Sequence, residues 1–482
     1  MQSTSAHVGS VARTAQPSAG IPSIADLRAL VRGPVLGPDD PGYDAARVVA
    51  SGEFDAHPAA IARVADADDV ARVVALAREA GLELAVRSGG HSGAGHGTIE
   101  GGLVLDVRGL KSLDVDPVGH TAWAGTGLSA GEYTTAAAAY GLATGFGDTG
   151  SVGVGGITLG GGIGYLVRKH GLTIDALLAA EIVTADGEVR IVDADADPDL
   201  FWAIRGGGGN FGVATRFKFR LHPLDAVTGG VLVLPATPDT VAGFIAAAEA
   251  APEELSTIAN VMPAPPMPFL PPEVHGRLVI LGMLLHSGDG EAGQRAIAPF
   301  RALATPLADM VRPMSYPEMY PPEDPSYRPT AVARTMFLDR VDRDVATTIV
   351  EQLEASDASM RVVQLRVLGG AMARVPVDAT AFAHRASRIM TAVAAFYEGP
   401  DDRPVREAWV TGLAAALRQG DHGAYVNFLG DEGEDRVRAA YPGRTWDRLA
   451  AVKRRYDPTN LFRRNQNVPP AEAWTSTVSH ER

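Results

Sequence analysis

Residues 86–106 read VRSGGHSGAGHGTIEGGLVLD. Two apolar runs flank a glycine-rich loop, and His91 stands at its centre. A second stretch of the same kind, DTGSVGVGGITLGGGIG, occupies residues 148–164. Glycine takes positive φ freely and lets backbone amides approach a ligand closely. Successive amides of this kind form a nest for anions. Both stretches are read as cradles for one large phosphate-bearing cofactor. The plainer reading, two flexible surface loops, needs only turn chemistry.

The sequence around the first loop has an α/β pattern. Residues 23–32 read as a short helix ended by Gly33-Pro34. Pro58 is expected to open a longer helix, which over residues 67–80 carries Val70, Val73, Val74 and Ala77 on one face and stops at Gly81. Residues 82–86 and 103–107 read as strands, so the loop sits at a strand end. Residues 121–125 form a strand and 129–140 a helix, with Ser129 and Glu132 at capping-box spacing. Residues 181–184 and 188–192 pair as a hairpin around Asp186-Gly187. A short capped helix follows at 197–203, then a third glycine loop at 206–212 and an alternating strand at 213–221.

Composition shifts near His222-Pro223. Residues 231–234, 278–285 and 361–368 look like strands separated by Ala-rich helices. The proline-rich stretches 262–272 and 313–329 are expected to be surface loops at a pocket rim. From about Asp421 the pattern changes again, through YVNF and a helix at 446–456 to the tail NLFRRNQNVPP.

The bulk numbers exclude several classes. The chain has 482 residues, 46% of them hydrophobic, enough for two or three domains. A net charge of -14 (43 Lys+Arg against 57 Asp+Glu) opposes a broad hold on nucleic acid. It favours a small-molecule partner. With no cysteine there is no disulfide, no thiolate zinc and no cysteine nucleophile. No metal site is expected, since no acidic or histidine partner stands at zinc spacing from His91. The first twenty residues hold no apolar core of signal-peptide length, and no run is long enough to span a membrane. The expectation is a cytoplasmic protein, monomeric or a weak homodimer.

Three motifs have rival readings. Gly207-Gly208-Gly209-Asn210-Phe211-Gly212 matches a dinucleotide fingerprint, but a helix precedes it and a strand follows, the reverse of a nicotinamide site. A tight helix-to-strand turn suits it better. Gly127-Leu128-Ser129-Ala130-Gly131 matches a nucleophile elbow and would make the protein a serine hydrolase. Ser129 is equally a helix cap with Glu132. His91, flanked by Gly and Ser, could donate a hydrogen bond, act as a covalent nucleophile or cap a turn; His96 could serve instead.

Arg87-Ser88-Gly89-Gly90-His91-Ser92 resembles the flavin-attachment loop of the berberine bridge enzyme-like oxidases, in the vanillyl-alcohol oxidase superfamily with its PCMH-type FAD-binding fold. Val152-Gly153-Val154-Gly155-Gly156 with Gly160-Gly161-Gly162-Ile163-Gly164 resembles the second FAD loop. Ala381-Phe382-Ala383-His384-Arg385 resembles the substrate-domain segment. Tyr425-Val426-Asn427-Phe428, Tyr456-Asp457-Pro458 and Arg464-Asn465-Gln466-Asn467-Val468-Pro469-Pro470 resemble the C-terminal signature. The four stretches keep the family's order from about residue 50 to 470.

The resemblance implies an α+β flavoprotein of two domains. An FAD domain of two α/β subdomains (21–222) would be joined by a substrate domain (223–420) with an antiparallel sheet covered by helices. A segment at 421–473 would return to the FAD domain, and 1–20 and 474–482 would be tails. His91 matches the histidine bonded to the flavin 8α-carbon. Thr149 stands where many relatives carry a second, cysteinyl link, so a single covalent bond is expected. The implied FAD contacts are Arg87, Ser88, Gly89, Gly90, His91 and Ser92, then Thr149, Gly150, Val152, Gly153, Gly155 and Gly156, then Gly161, Gly162, Gly164, Val183, Tyr425, Asn427, Asn465 and Asn467. Phe428 replaces the tyrosine that many relatives use as a base. Tyr425 becomes the candidate base, with Tyr316, Tyr320 and Tyr397 as rivals and Arg385 as a possible cationic neighbour. Val152 resembles the oxygen-permissive members. The implied activity is an FAD-dependent oxidase taking hydride from an alcohol, sugar or natural product to flavin N5, with O2 reduced to H2O2. A non-catalytic flavin-binding protein is the alternative that Phe428 suggests.

Overall fold

Strands Ala60–Arg63, Leu103–Asp106 and Leu84–Arg87 run parallel in a four-stranded sheet, with Val35–Leu36 antiparallel at one edge. The computed structural model describes residues 22–472 except 225 and 325, so the expected tails lie outside the described residues. All four residues of Leu103–Asp106 are buried, as expected where a parallel sheet is covered on both faces. Helix Ala67–Glu79 lays Val70, Val73, Val74 and Ala77 on it, all fully buried. Asp66 caps this helix by accepting from the Asp69 amide at 2.9 Å. Pro58 therefore opens no helix. The residues after it form the strand Ala60–Arg63, whose alanines mimic a helix in sequence.

The next sheet has five antiparallel strands, with Val213–Arg220 between Thr121–Gly125 and Leu177–Val183. Leu177–Val183 pairs with Val189–Asp193, the expected hairpin. Helix Ala130–Ala138 packs on this layer through Tyr133. Its ring meets Phe146 and Phe219 edge-on, at centroid distances of 4.8 and 5.8 Å. Such pairs add about 0.5–1.5 kcal/mol each beyond the area they bury.

The second domain is built on an eight-stranded antiparallel sheet. Helices Pro238–Ala250, Gly290–Arg301, Arg343–Ala355 and Arg403–Leu417 share one apolar cluster with it. Strand alternation then fixes what the other face shows. Val363, Leu365 and Val367 join the helices, while Val362, Gln364 and Arg366 point the opposite way, to a cavity. Five of its strands escape the sequence reading: the long Leu255–Pro263, Ala331–Leu338 and Ile389–Phe396, and the short Ala308–Asp309 and Arg312–Met314. Ile389–Phe396 (IMTAVAAF) turns Ala392 and Ala394 to the cavity, so it lacks polar alternation and its alanines resemble the helices. The stretch 262–272 is no pocket rim: Ala264 and Leu270 pack on Val233 and Val279.

After helix Arg444–Tyr456 the chain crosses back to the first domain. Lys453 is fully buried and its Nζ donates to Asp457 Oδ2, Asn210 O and Phe462 O at 2.7, 2.7 and 2.8 Å. Burial pulls its pKa down to about 8, against the opposing carboxylate. Asp457 in turn accepts from the amides of Leu461 and Phe462.

Two alanine substitutions test this packing. A Cβ on Gly164 would lie 1.3 Å from the Phe146 carbonyl oxygen, whereas one on Gly412, exposed inside helix Arg403–Leu417, meets nothing within 4 Å. Gly164→Ala is expected to cost about 3 kcal/mol or more, or to prevent folding. Gly412→Ala is expected to stabilise by about 0.5–1 kcal/mol, raising the thermal midpoint.

Candidate active site

The strand Leu84–Arg87 delivers the first glycine loop, and Ser88 anchors it by donating from Oγ to the Thr126 carbonyl at 2.7 Å. The second loop lies directly against it. A Cβ on Gly89 would sit 2.2 Å from the Gly153 nitrogen, and one on Gly153 would sit 2.2 Å from the Gly89 nitrogen. Only glycine on both sides permits that approach. The second loop is held from its other side by residues 127–131. Amides of Ala130 and Gly131 donate to the carbonyls of Val152 and Gly150, and the Val154 amide donates to Leu128. Ser129 is part of this edge. Its Oγ accepts from the Glu132 amide at 3.2 Å while Glu132 Oε2 accepts from the Ser129 amide at 2.9 Å. The capping box thus engages the serine, and no histidine is bonded to it among the described residues.

Between the loops, the C-terminal segment and the large sheet lies a cavity of about 630 Å³. That is the usual size range for small-molecule and cofactor sites. Arg87, Ser88, Gly89, Gly90, His91 and Ser92 line it, as do Thr149, Val152, Gly153, Gly155, Gly156, Tyr425, Asn427 and Asn465. Gly150, Gly161, Gly162, Gly164, Val183 and Asn467 do not. Gly162 has φ +83° and abuts Thr173, and Gly164 abuts Phe146, so these glycines serve close packing. Val183 is fully buried in the sheet core.

The wall also holds residues that the sequence reading did not assign. Gly208, Gly209 and Asn210 of the third glycine loop are on it. This loop does join helix Pro198–Ile204 to strand Val213–Arg220, which rules out the nicotinamide arrangement. Asn210 ties it to the C-terminal segment, donating from Nδ2 to Gln466 O and accepting at Oδ1 from the Val468 amide. The large sheet contributes cross-strand rows: Ala333–Ala394–Val362, then Thr335–Ala392–Gln364. Arg366 completes this face. It donates to Asp148 at 2.6 Å and to Gln364 at 2.9 Å, with its guanidinium 5.2 Å from the Phe428 ring centre.

Charge is concentrated under the first loop. Asp106 is fully buried and receives Arg108 at 2.8 Å, Arg63 at 3.1 Å and Arg87 at 3.6 Å. Burial alone would raise its pKa, but Arg108 and Arg87 hold it below the usual range. One carboxylate against three guanidinium groups leaves positive charge in excess. Burial pushes Arg87 down to about 10, still a cation at neutral pH. Burial also lowers His91, and takes His96, beside Arg464, to about 4, so both imidazoles are neutral near pH 7.

Of the phenols, Tyr425 is on the wall; Tyr316, Tyr320 and Tyr397 are not. Tyr425 Oη accepts from the amides of Gly162 and Ile163 at 2.9 and 3.2 Å and from Asn427 Nδ2 at 2.9 Å. Burial raises its pKa, and these donors oppose that rise. The nearby cation is Arg366; Arg385 is spent on a bidentate pair with Asp175 at 2.8 Å.

The wall suits a large anionic cofactor. It is glycine backbone where side chains would fill it. Buried polar atoms on it lack hydrogen-bond partners in the protein: Arg87 Nε, Asn465 Oδ1 and the Tyr441 hydroxyl. Such groups are costly to leave unpaired.

Comparison with known proteins bears on the same regions. Residues 58–193 match the model of an FAD binding domain, and residues 424–469 match the model named for berberine and berberine-like enzymes. (R)-6-hydroxynicotine oxidase of Paenarthrobacter nicotinovorans is 32% identical over 455 residues, 91% of this chain and 97% of that protein. Xylooligosaccharide oxidase of Thermothelomyces thermophilus is 30% identical over 453 residues, 86% of this chain and 88% of that one. The crystal structure of 6-hydroxy-D-nicotine oxidase from Arthrobacter nicotinovorans superposes with a TM-score of 0.81 at 29% identity, covering 92% of this chain and 98% of the other.

Ser129→Ala separates a cap from a nucleophile. A cap predicts a loss of about 1 kcal/mol of stability, read by thermal melting, with the protein's turnover retained. A nucleophile would lose turnover altogether.

Proposed function

The chain belongs to the FAD-linked oxidoreductases of the berberine bridge enzyme-like family, and from that premise we propose that it is an oxidase linked to FAD by one covalent bond, through His91. FAD supplies the redox chemistry when bound, taking hydride from a substrate carbon at N5 and reducing O2 to H2O2. The observation that carries the reading is the setting of His91. It is a neutral imidazole on the wall of the cavity, in the loop that interlocks with the second glycine loop. A neutral imidazole is a nucleophile; an imidazolium is not.

The other residues divide the work. Arg87 and the amides of the two loops would hold the pyrophosphate, with the excess positive charge around Asp106 behind them. Asn427 and Asn465 would bond the flavin from the C-terminal segment, Asn465 through its unpartnered Oδ1. Substrate would lie on the sheet face, where Ala333, Ala392 and Ala394 leave room and Thr335, Gln364 and Arg366 offer polar contacts. Its class is an alcohol, sugar or natural product. Val152, on the wall and short, leaves space for oxygen.

Tyr425 is the proposed base. Three N–H groups converge on its oxygen and no acceptor faces it among the described residues. That arrangement favours the phenolate against the burial that disfavours it. Phe428 supports a second reading, a flavin-binding protein without turnover, since its ring cannot take a proton.

In acid precipitation, wild-type protein is expected to give a yellow pellet and His91→Ala to release its colour. Colour washing free from the wild type would contradict the covalent bond. On a panel of sugars, alcohols and cyclic amines, peroxide is expected with at least one; none at all would favour the non-catalytic reading. On that substrate Tyr425→Phe is expected to lower kcat by about 100-fold or more.

A further inference from the structure

Ser151 stands between side chains of two domains. Its Oγ is 2.9 Å from His91 Nε2 and 2.5 Å from Glu323 Oε2. Its amide donates to Glu323 Oε1 at 3.1 Å. Glu323 is exposed, but the chain just before it is fixed: Tyr320 is buried, and its hydroxyl donates to the Gly147 carbonyl at 3.0 Å. The substrate domain thereby reaches the second glycine loop at the point where that loop meets His91.

The proton positions follow from the donor inventory. A carboxylate only accepts, so Ser151 donates its single hydroxyl proton to Glu323. Toward His91 the same oxygen can only accept. The N–H of the neutral imidazole is therefore on Nε2, and the lone pair is on Nδ1. Among the described residues the side-chain hydrogen bond to this ring is at Nε2, and His91 lines the cavity.

We propose that Glu323, acting through Ser151, is a positioning residue for flavin attachment: it fixes His91 with Nε2 protonated and Nδ1 free, and draws off the Nε2 proton as the bond forms. This rests on the His91–flavin reading above. The step balances as follows. The Nδ1 lone pair forms a bond to the methyl carbon at flavin position 8, and one C–H bond of that methyl breaks. The electron pair of that C–H bond enters the ring, which is thereby reduced by two electrons. The methyl proton and the Nε2 proton are released, the latter along Ser151 to Glu323 and solvent. O2 then takes the two electrons and two protons as H2O2. Glu323 is also the charged group that acts on His91, raising its proton affinity against burial.

The test needs no substrate. Full-length protein, produced with limiting riboflavin, is mixed with FAD, and the acid-stable flavin absorbance is followed over time and pH. The wild-type rate should rise with pH as His91 loses its proton. Glu323→Gln and Ser151→Ala are expected to attach flavin about tenfold more slowly or worse, and Glu323→Asp to recover part of the rate. Removing the Glu323 charge lowers the His91 pKa, so the acid limb of the Glu323→Gln profile should move to lower pH while its plateau falls. A merely structural latch would lower the rate without moving that limb. Glu323→Gln attaching at the wild-type rate, or slowing with the limb unmoved, overturns the relay alone. A wild type with no acid-stable flavin overturns the attachment reading and the relay with it.

Discussion

At Gly89 and Gly153 two backbones meet more closely than any side chain allows. The rest of the site is arranged around that contact. It requires glycine twice, in segments about sixty residues apart, and it requires both segments to be held from behind. Strand Leu84–Arg87 and the Ser88–Thr126 hydrogen bond hold the first. The pairing of residues 150–154 with 128–131 holds the second. The capping box at Ser129 belongs to this second support, which is why a sequence that looks like a nucleophile elbow is a structural edge. Once the loops interlock, the cavity wall is backbone, the Arg87 guanidinium is close, and His91 faces the space between.

The second domain closes the site with small residues. Ala333, Ala392 and Ala394 sit in cross-strand register, so the sheet presents a shallow face bounded by Thr335, Gln364 and Arg366. Arg366 is neutralised by Asp148 from the second glycine loop, which ties the two domains across the cavity at 2.6 Å. Glu323 makes a further tie, through Ser151. The C-terminal segment is tied to the first domain through the buried Lys453 and Asn210. Removing one partner of the Lys453–Asp457 pair would strand a buried charge, at a cost of about 3–5 kcal/mol. Cofactor site and domain packing are thus stabilised by the same contacts.

Much of this was legible in the sequence because glycine density is itself the physical property that the site uses. Ser129 and Glu132 were legible because a capping box is local. The strands of the large sheet were not. Ile389–Phe396 carries alanines on its cavity face and so no polar alternation to read. The same density misleads at Gly162 and Gly164, which pack against Thr173 and Phe146 and do not reach the cavity. Arg366, Asn210 and Glu323 carry no local signal: each acquires its place from a contact more than 100 residues away. Likewise the stretch 313–329 does not line the cavity. Among the described residues it touches the site through Tyr320 and Glu323.

Trypsin cuts after Arg87 and Arg108, so residues 88–108 leave as one peptide holding both His91 and His96. Mass spectrometry of that peptide from the purified protein tests the central claim most directly. The account expects the peptide to carry a flavin, with fragmentation placing it on His91. An unmodified peptide, or a flavin on His96, would contradict it.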